Sequence, residues 1–143
     1  MGKVNLPRVV LGGLLAGLVV NISEFVLNEV VIKDQSEAAM KALGKNMPTG
    51  SAVMVTWVLW GFAAGIVSVW LYAAIRPRYG PGPVTAARAG LATWFIGWFL
   101  SMVAMQNMGL FPISPVTFVW TLLESVVSTI AGAWVYGEAP SRA

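Results

Sequence analysis

The sequence predicts an all-α integral membrane protein that crosses the bilayer four times as a four-helix bundle. Two observations carry this prediction. Of the 143 residues, 57% are hydrophobic and only 10% are charged, whereas about a quarter of the residues of a typical soluble domain are charged. The apolar residues also fall into four runs, each about as long as the 20 residues that a helix needs to cross a bilayer. Because little chain remains beyond these runs, residues 1–143 are predicted to form one domain.

The predicted spans cover residues 9–32, 52–75, 89–110 and 115–136. The second is expected to end before Arg76, Pro77 and Arg78. Ser114 followed by Pro115 is a typical helix start, with a capping residue before a proline at the first helical position. Backbone amides in hydrocarbon must be satisfied within their own segment, so runs of this length are predicted to be helices.

The connection between the first two spans, 33–50, predicts a short external amphipathic helix. Asp34 and Glu37 have the spacing of a capping box, and Glu37 and Lys41 form an i,i+4 pair of opposite charge. Gly44 is a typical helix end. Its apolar residues are expected to lie on the membrane surface or against the end of the bundle.

The distribution of Lys and Arg predicts that both termini are cytoplasmic. Positive residues concentrate in cytoplasmic flanks, and here they divide six against three between the two sides. We therefore expect a multi-pass protein of the cell (inner) membrane, with a net charge of +3 that reflects orientation and not nucleic-acid binding. The six are Lys3, Arg8, Arg76, Arg78, Arg88 and Arg142, and the three are Lys33, Lys41 and Lys45.

The absence of cysteine and histidine narrows the possible chemistry. It removes disulfides, thiol catalysis, thiolate metal sites and haem ligation through imidazole. We expect no cofactor and no metal. We also expect no enzymatic activity, because catalysis needs a nucleophile and base arrangement that scattered hydroxyls and two membrane glutamates do not supply.

Polar and small residues follow single faces of the predicted spans. Steps of three and four residues keep such positions on one side of a helix, and a polar face is not expected to contact lipid. Glycines at the same spacing allow helix backbones to approach closely. The candidate polar site comprises Asn21, Glu24 and Asn28 of the first span with Thr121, Glu124 and Ser128 of the fourth, and the candidate packing glycines are Gly13, Gly17, Gly61 and Gly65.

Glu24 and Glu124 are the residues on which a function would depend. Counted along the helices they lie at nearly the same depth, about 5 Å and about 2 Å from the bilayer midplane. A carboxylate at the centre of a span costs about 3 kcal/mol to insert, and no Lys, Arg or His is available at that depth. Protonation, a shared proton or a bound cation is therefore expected to relieve the charge.

Three roles remain open for these two glutamates. A protonated carboxyl can hold a bundle together through a hydrogen bond to Asn or Thr on a neighbouring helix. Alternatively, the two residues form a proton or cation pathway, or a polar anchor for a partner helix. Glu29 lies near the predicted helix end and is expected to be solvated.

The tryptophans inside the spans allow two interpretations. Most simply they pack against neighbouring helices and contact lipid; the alternative is that they line a pocket for a hydrophobic ligand or enclose an organic cation. The packing interpretation is the one we expect. The residues are Trp57, Trp60, Trp94, Trp98 and Trp120.

Four short helices with a glutamate, Glu24, inside the first resemble the small multidrug resistance transporters. That resemblance implies dimers that exchange protons for hydrophobic cations. The chain departs from that family in its greater length, its long first loop and its second membrane glutamate, Glu124. The activity of the family is therefore not carried over to this chain.

The function expected from the sequence is proton- or cation-coupled transport that uses the buried carboxylates. The alternative is an accessory or assembly subunit of a larger membrane complex, in which the small-residue faces and Trp-rich surfaces bind neighbouring subunits. The expected partners are membrane lipid together with further copies of the chain or other membrane subunits. No nucleic-acid partner is expected.

Overall fold

The computed structural model describes residues 4–137, which are largely helical and contain no β-strand. Lys3 and Arg142, used above to predict orientation, lie outside the described residues, as do the two ends of the predicted domain. Four helical spans are long and apolar enough to cross a membrane, which indicates a multi-pass membrane protein. The first to fourth spans are Leu6–Val31, Ser51–Tyr79, Pro83–Asn107 and Pro115–Tyr136.

Two of the spans change from α-helix to π-helix along their length. The first continues from α1 into a π segment, and the third contains a π segment between two α-helices. One further helix, α2, lies between the first and second spans. The elements are α1 (Leu6–Val26), the first π segment (Leu27–Val31), α2 (Lys33–Ala42), α3 (Ser51–Tyr79), α4 (Pro83–Trp94), the second π segment (Phe95–Phe99), α5 (Leu100–Asn107) and α6 (Pro115–Tyr136).

The four spans pack as a bundle that is closely packed at only one end. Helix α1 contacts α3 and α6, and α4 contacts α6 and α3. Helix α5 has no comparable contact with another span of the described chain. We call the end that carries α2 the α2 end, and the opposite end the terminal end, where the backbone N–H of Asn5 donates to the Tyr136 hydroxyl at 3.4 Å.

Glycines bring the helices together from the terminal end to about mid-height. A Cβ on Gly65 would overlap the backbone of Gly17 and Gly13, so α1 and α3 touch through their main chains. The same close approach joins α1 to α6 at Gly12 and Gly132. Backbones this close increase van der Waals contact, which is the main attraction between helices in lipid.

The second and third spans differ in their ends from the prediction. Helix α3 continues through Pro77 to Tyr79, and α4 begins at Pro83, so only residues 80–82 form the turn between them. Gly80 and Gly82 adopt φ of +81° and +120°, which side chains other than glycine rarely allow. Pro77 lies in the last turn of α3. Its missing backbone N–H and its ring therefore disturb only the end of the helix.

The second span continues past Arg76 because the charge of this residue is accommodated inside the bundle. Its side chain is buried, with the guanidinium carbon 6.0 Å from the Tyr72 ring centroid and 5.8 Å from that of Tyr136. The faces of aromatic rings attract cations, so the charge is accommodated within the terminal end of the bundle.

Helix α2 occupies the segment where a short helix is predicted, but its start differs. It begins at Lys33, directly after Ile32, and no side chain caps it, so Asp34 and Glu37 do not form the expected capping box. Lys33 instead forms an exposed salt bridge of 3.3 Å with Glu29 of the first π segment. No residue of α2 is buried.

Two hydrogen bonds mark the first π segment and the turn before it. The side-chain amide of Asn28 donates to the backbone oxygen of Glu24 at 2.9 Å. At the end of the segment the backbone ladder is shifted by one residue, because the backbone N–H of Ile32 donates to the oxygen of Leu27, five residues earlier, at 2.9 Å. One extra residue is thereby accommodated in the turn.

We expect Gly65→Ala to lower the stability of the bundle and Gly97→Ala to leave it unchanged or slightly higher. A Cβ at Gly65 would overlap the first span, whereas one at Gly97 meets no atom within 4 Å. Overpacking costs about 1–3 kcal/mol, and an alanine in an open helical position is favourable. The thermal unfolding midpoints of the two variants in detergent measure this difference. Equal midpoints would contradict the close approach of α1 and α3.

Candidate functional site

The carboxyl groups of Glu24 and Glu124 lie close enough between α1 and α6 to affect each other electrostatically, but they form no hydrogen bond of good geometry with each other. The Glu124 side chain is buried, with 5% of the residue exposed, and Glu24 is only partly accessible. Their helices place them there because α1 and α6 are neighbours in the bundle and each carries its glutamate on the face turned toward the other. We call these two groups the carboxyl pair.

Asn28 binds the first member of the pair. Its side-chain amide donates to Oε2 of Glu24 at 2.7 Å, in addition to the bond with the Glu24 backbone oxygen. The spacing of four residues puts the two side chains one turn apart on the same face. A single amide therefore orients the Glu24 carboxyl and also binds the backbone oxygen of the same residue.

Glu124, the second member of the pair, has fewer hydrogen-bond donors than Glu24. Neither carboxyl oxygen of Glu124 has a partner that satisfies strict hydrogen-bond geometry among the described residues, and both oxygens are buried. The Glu24 carboxyl and the Ser23 hydroxyl lie close enough to affect Glu124 electrostatically. The indole N–H of Trp120 donates to Oγ of Ser23 at 2.9 Å, which leaves the hydroxyl proton of Ser23 available to Glu124.

Within residues 4–137 no salt bridge to either member of the carboxyl pair is found. Lys33 and Glu29 form an exposed salt bridge elsewhere on the first span, and the sequence contains no histidine. Across the same range no three acidic, histidine or cysteine residues cluster, so the site offers two carboxyls. Such an arrangement can hold one proton between two oxygens, or a cation, and can release it again.

Asn21 and Thr121 make contacts other than those with the carboxyl pair. Asn21 donates to the backbone oxygens of Gly17 at 2.8 Å and Val58 at 3.2 Å, and so links α1 to α3 beside Gly61. Thr121 accepts the indole N–H of Trp94 at 3.0 Å and links α6 to α4.

Ser128, also among the candidate polar residues, is buried further toward the terminal end. Its hydroxyl donates to the backbone oxygen of Ser125, its own helix neighbour, at 3.3 Å. Asn28 is therefore the candidate polar residue that binds a glutamate side chain directly. The four candidate glycines lie together at the α1 and α3 contact, where they border Asn21, Phe62 and Ile66.

Two residues at the site were not predicted as members of it. Ser23 precedes Glu24 and lies about 100° around the helix from it, away from the polar face used in the prediction. Trp120 was interpreted as a packing residue, although its position four residues before Glu124 places both on one face. That shared face was the available signal for Trp120. The same interpretation missed the hydrogen bond from Trp94.

Comparison with known proteins adds no further constraint: no family model, curated protein or solved structure matches this chain.

We expect Glu124→Gln to leave the thermal stability unchanged or to raise it. A buried carboxyl with few donors costs stability, and an uncharged amide of the same shape costs less. Thr121→Val is the control, because it removes the acceptor for the Trp94 indole and should lower stability by about 1–2 kcal/mol. Thermal unfolding in detergent compares the two variants. A fall for Glu124→Gln as large as that for Thr121→Val would mean that the pair serves to hold the bundle together.

Proposed function

We propose that this chain is a non-enzymatic membrane protein whose carboxyl pair binds and releases a proton or a small cation during transport. The observation that carries the proposal is the burial of two carboxyl groups against each other with no basic partner among the described residues. Polar groups held inside a membrane bundle at such a cost are typical of ion and proton pathways.

The energetics favour an exchangeable occupant over two bare charges. One carboxylate at mid-membrane costs about 3 kcal/mol, and two in contact add their repulsion. A proton shared by the pair, or a cation between the two groups, removes most of this cost. The high free energy of two unbalanced carboxylates therefore favours binding of a proton or a cation at this site.

Orientation and location form part of the proposal. With Arg8, Arg76, Arg78 and Arg88 at the terminal end, the positive-inside rule places that end in the cytoplasm. Helix α2 and its lysines then lie outside, in a cell (inner) membrane. The carboxyl pair would face opposite compartments in alternation, as transport requires.

We expect Glu24→Gln and Glu124→Gln each to reduce transport to the level of empty liposomes. Glutamine keeps the shape and hydrogen-bonding groups but does not exchange a proton. The measurement is uptake by proteoliposomes, driven by an imposed proton gradient and followed with a pH-sensitive dye trapped inside. Glu29→Gln is the matched control, because Glu29 is an exposed glutamate on the same span and its loss should leave uptake unchanged.

Two results would reject the transport proposal. One is the absence of uptake by the wild-type protein above that of empty liposomes across proton, sodium and potassium gradients. The other is uptake that persists in both glutamine variants at the level of Glu29→Gln.

An accessory role in a larger membrane complex is a second candidate, favoured by the incomplete packing of the α2 end. Helix α5 has no close partner span in the described chain, and Gly97 before it faces open space. Trp57 is 63% exposed on the neighbouring part of α3. Helices with small residues on an open face typically pack against other helices.

Gentle detergent extraction from the native membrane, followed by mass determination, tests the accessory role. Stable association with other subunits would support it. A homogeneous assembly of this chain alone would reject it and would fit the transport proposal.

A further inference from the structure

The α2 end of the bundle carries an open pocket of about 270 Å³. It lies among the ends of the first, third and fourth spans, with α2 on one side and the segment before α6 on another. Most of its lining is apolar, and its amide and hydroxyl side chains are uncharged: Gln35, Ser36, Ser101, Ser114 and Thr117. At about 30 Å³ per molecule, the volume corresponds to several waters.

One face of the first span and one face of α6 lead from this pocket to the carboxyl pair, which lies beyond the pocket lining. On the first span the order is Ile32 at the pocket, then Asn28, then Glu24. On α6 it is Thr117 at the pocket, then Thr121, then Glu124. Seven or eight residues separate the ends of each series, which corresponds to about 10–12 Å along a helix.

The terminal side of the carboxyl pair is closed by comparison. On the terminal side of Glu124 in α6, Ser128 and Thr129 are buried, with 2% and 0% of each residue exposed. Gly132 then contacts the backbone of Gly12. No space for water separates α1 from α6 at this contact, so close packing blocks access to the pair from the terminal end.

We propose that the pocket is the entrance through which the carboxyl pair exchanges its proton or small cation with the α2 side of the membrane. This inference rests on the proposed function and adds the direction of access. Asn28, which binds Glu24, and the buried Thr121 lie between the entrance and the pair, since each lies one turn from a pocket residue and one turn from a glutamate. The buried oxygens of Glu124, which lack a donor of good geometry among the residues described, give the path an end point that attracts a cation.

The chain contains no cysteine, so single cysteines can report accessibility without background labelling. The probe is a membrane-impermeant trimethylammonium methanethiosulfonate added to one side of sealed proteoliposomes, with mass determination of the product. Thr117→Cys tests the pocket. Ser128→Cys is its matched control on the same helix, beyond the carboxyl pair. Lys45→Cys and Arg78→Cys mark the α2 side and the terminal side.

Thr117→Cys should react from the same side as Lys45→Cys and at least about tenfold faster than Ser128→Cys, because a buried thiol reacts only after local opening. Labelled Thr117→Cys should also lose most of its uptake, while the cysteine-free protein is unaffected by the reagent. Absence of labelling at Thr117→Cys would overturn the entrance, as would labelling from the Arg78→Cys side.

The two proposals fail in different ways. If the glutamine variants lose uptake but Thr117→Cys is not labelled, the transport proposal stands and the entrance is wrong. If Thr117→Cys is labelled as expected while the glutamine variants retain uptake, the pocket is open to the α2 side but transport does not use the carboxyl pair, and the entrance proposal is rejected together with the transport proposal.

Discussion

The burial of Glu124 beside Glu24 is the constraint on which the rest of the structure depends. Hydrocarbon does not solvate a bare carboxylate, so both groups lie inside the bundle and receive what donors the neighbouring residues supply. Asn28 donates to one carboxyl directly. The other has only the Ser23 hydroxyl, which accepts from Trp120, and the Glu24 carboxyl as polar neighbours, without a hydrogen bond of good geometry among the described residues. The contact between α1 and α6 is therefore a packing interface that also contains the two carboxyl groups, whose burial costs free energy.

The helices pack more closely on one side of this pair than on the other. The closer packing occurs on the side where the small residues lie. Gly12, Gly17, Gly65 and Gly132 let main chains touch on the terminal side. The α2 end has large side chains, and its stacked Trp60 and Trp98 rings, 4.2 Å apart, provide contact between the second and third spans there. Closely packed and loosely packed regions thus lie on opposite sides of the carboxyls.

The sequence predicts the existence of the spans because hydropathy over about 20 residues is a strong signal. It also predicts which faces of the first and fourth spans are polar, through spacings of three and four. It does not predict that Asn21 and Thr121 bind α3 and α4, because periodicity gives a face and not the neighbour that meets it. The end of α3 beyond Pro77 was missed for a related reason, since Arg76 is stabilised by tyrosines distant along the chain or on another helix.

The amide of Asn28 joins a carboxyl group to the main chain. It binds Oε2 of Glu24 and also the backbone oxygen of the same residue, just before the π segment from Leu27 to Val31. An ionised carboxylate attracts an amide N–H more strongly than a neutral carboxyl group does. A change in the charge of Glu24 therefore acts on a side chain that is also bonded to the backbone of the first span.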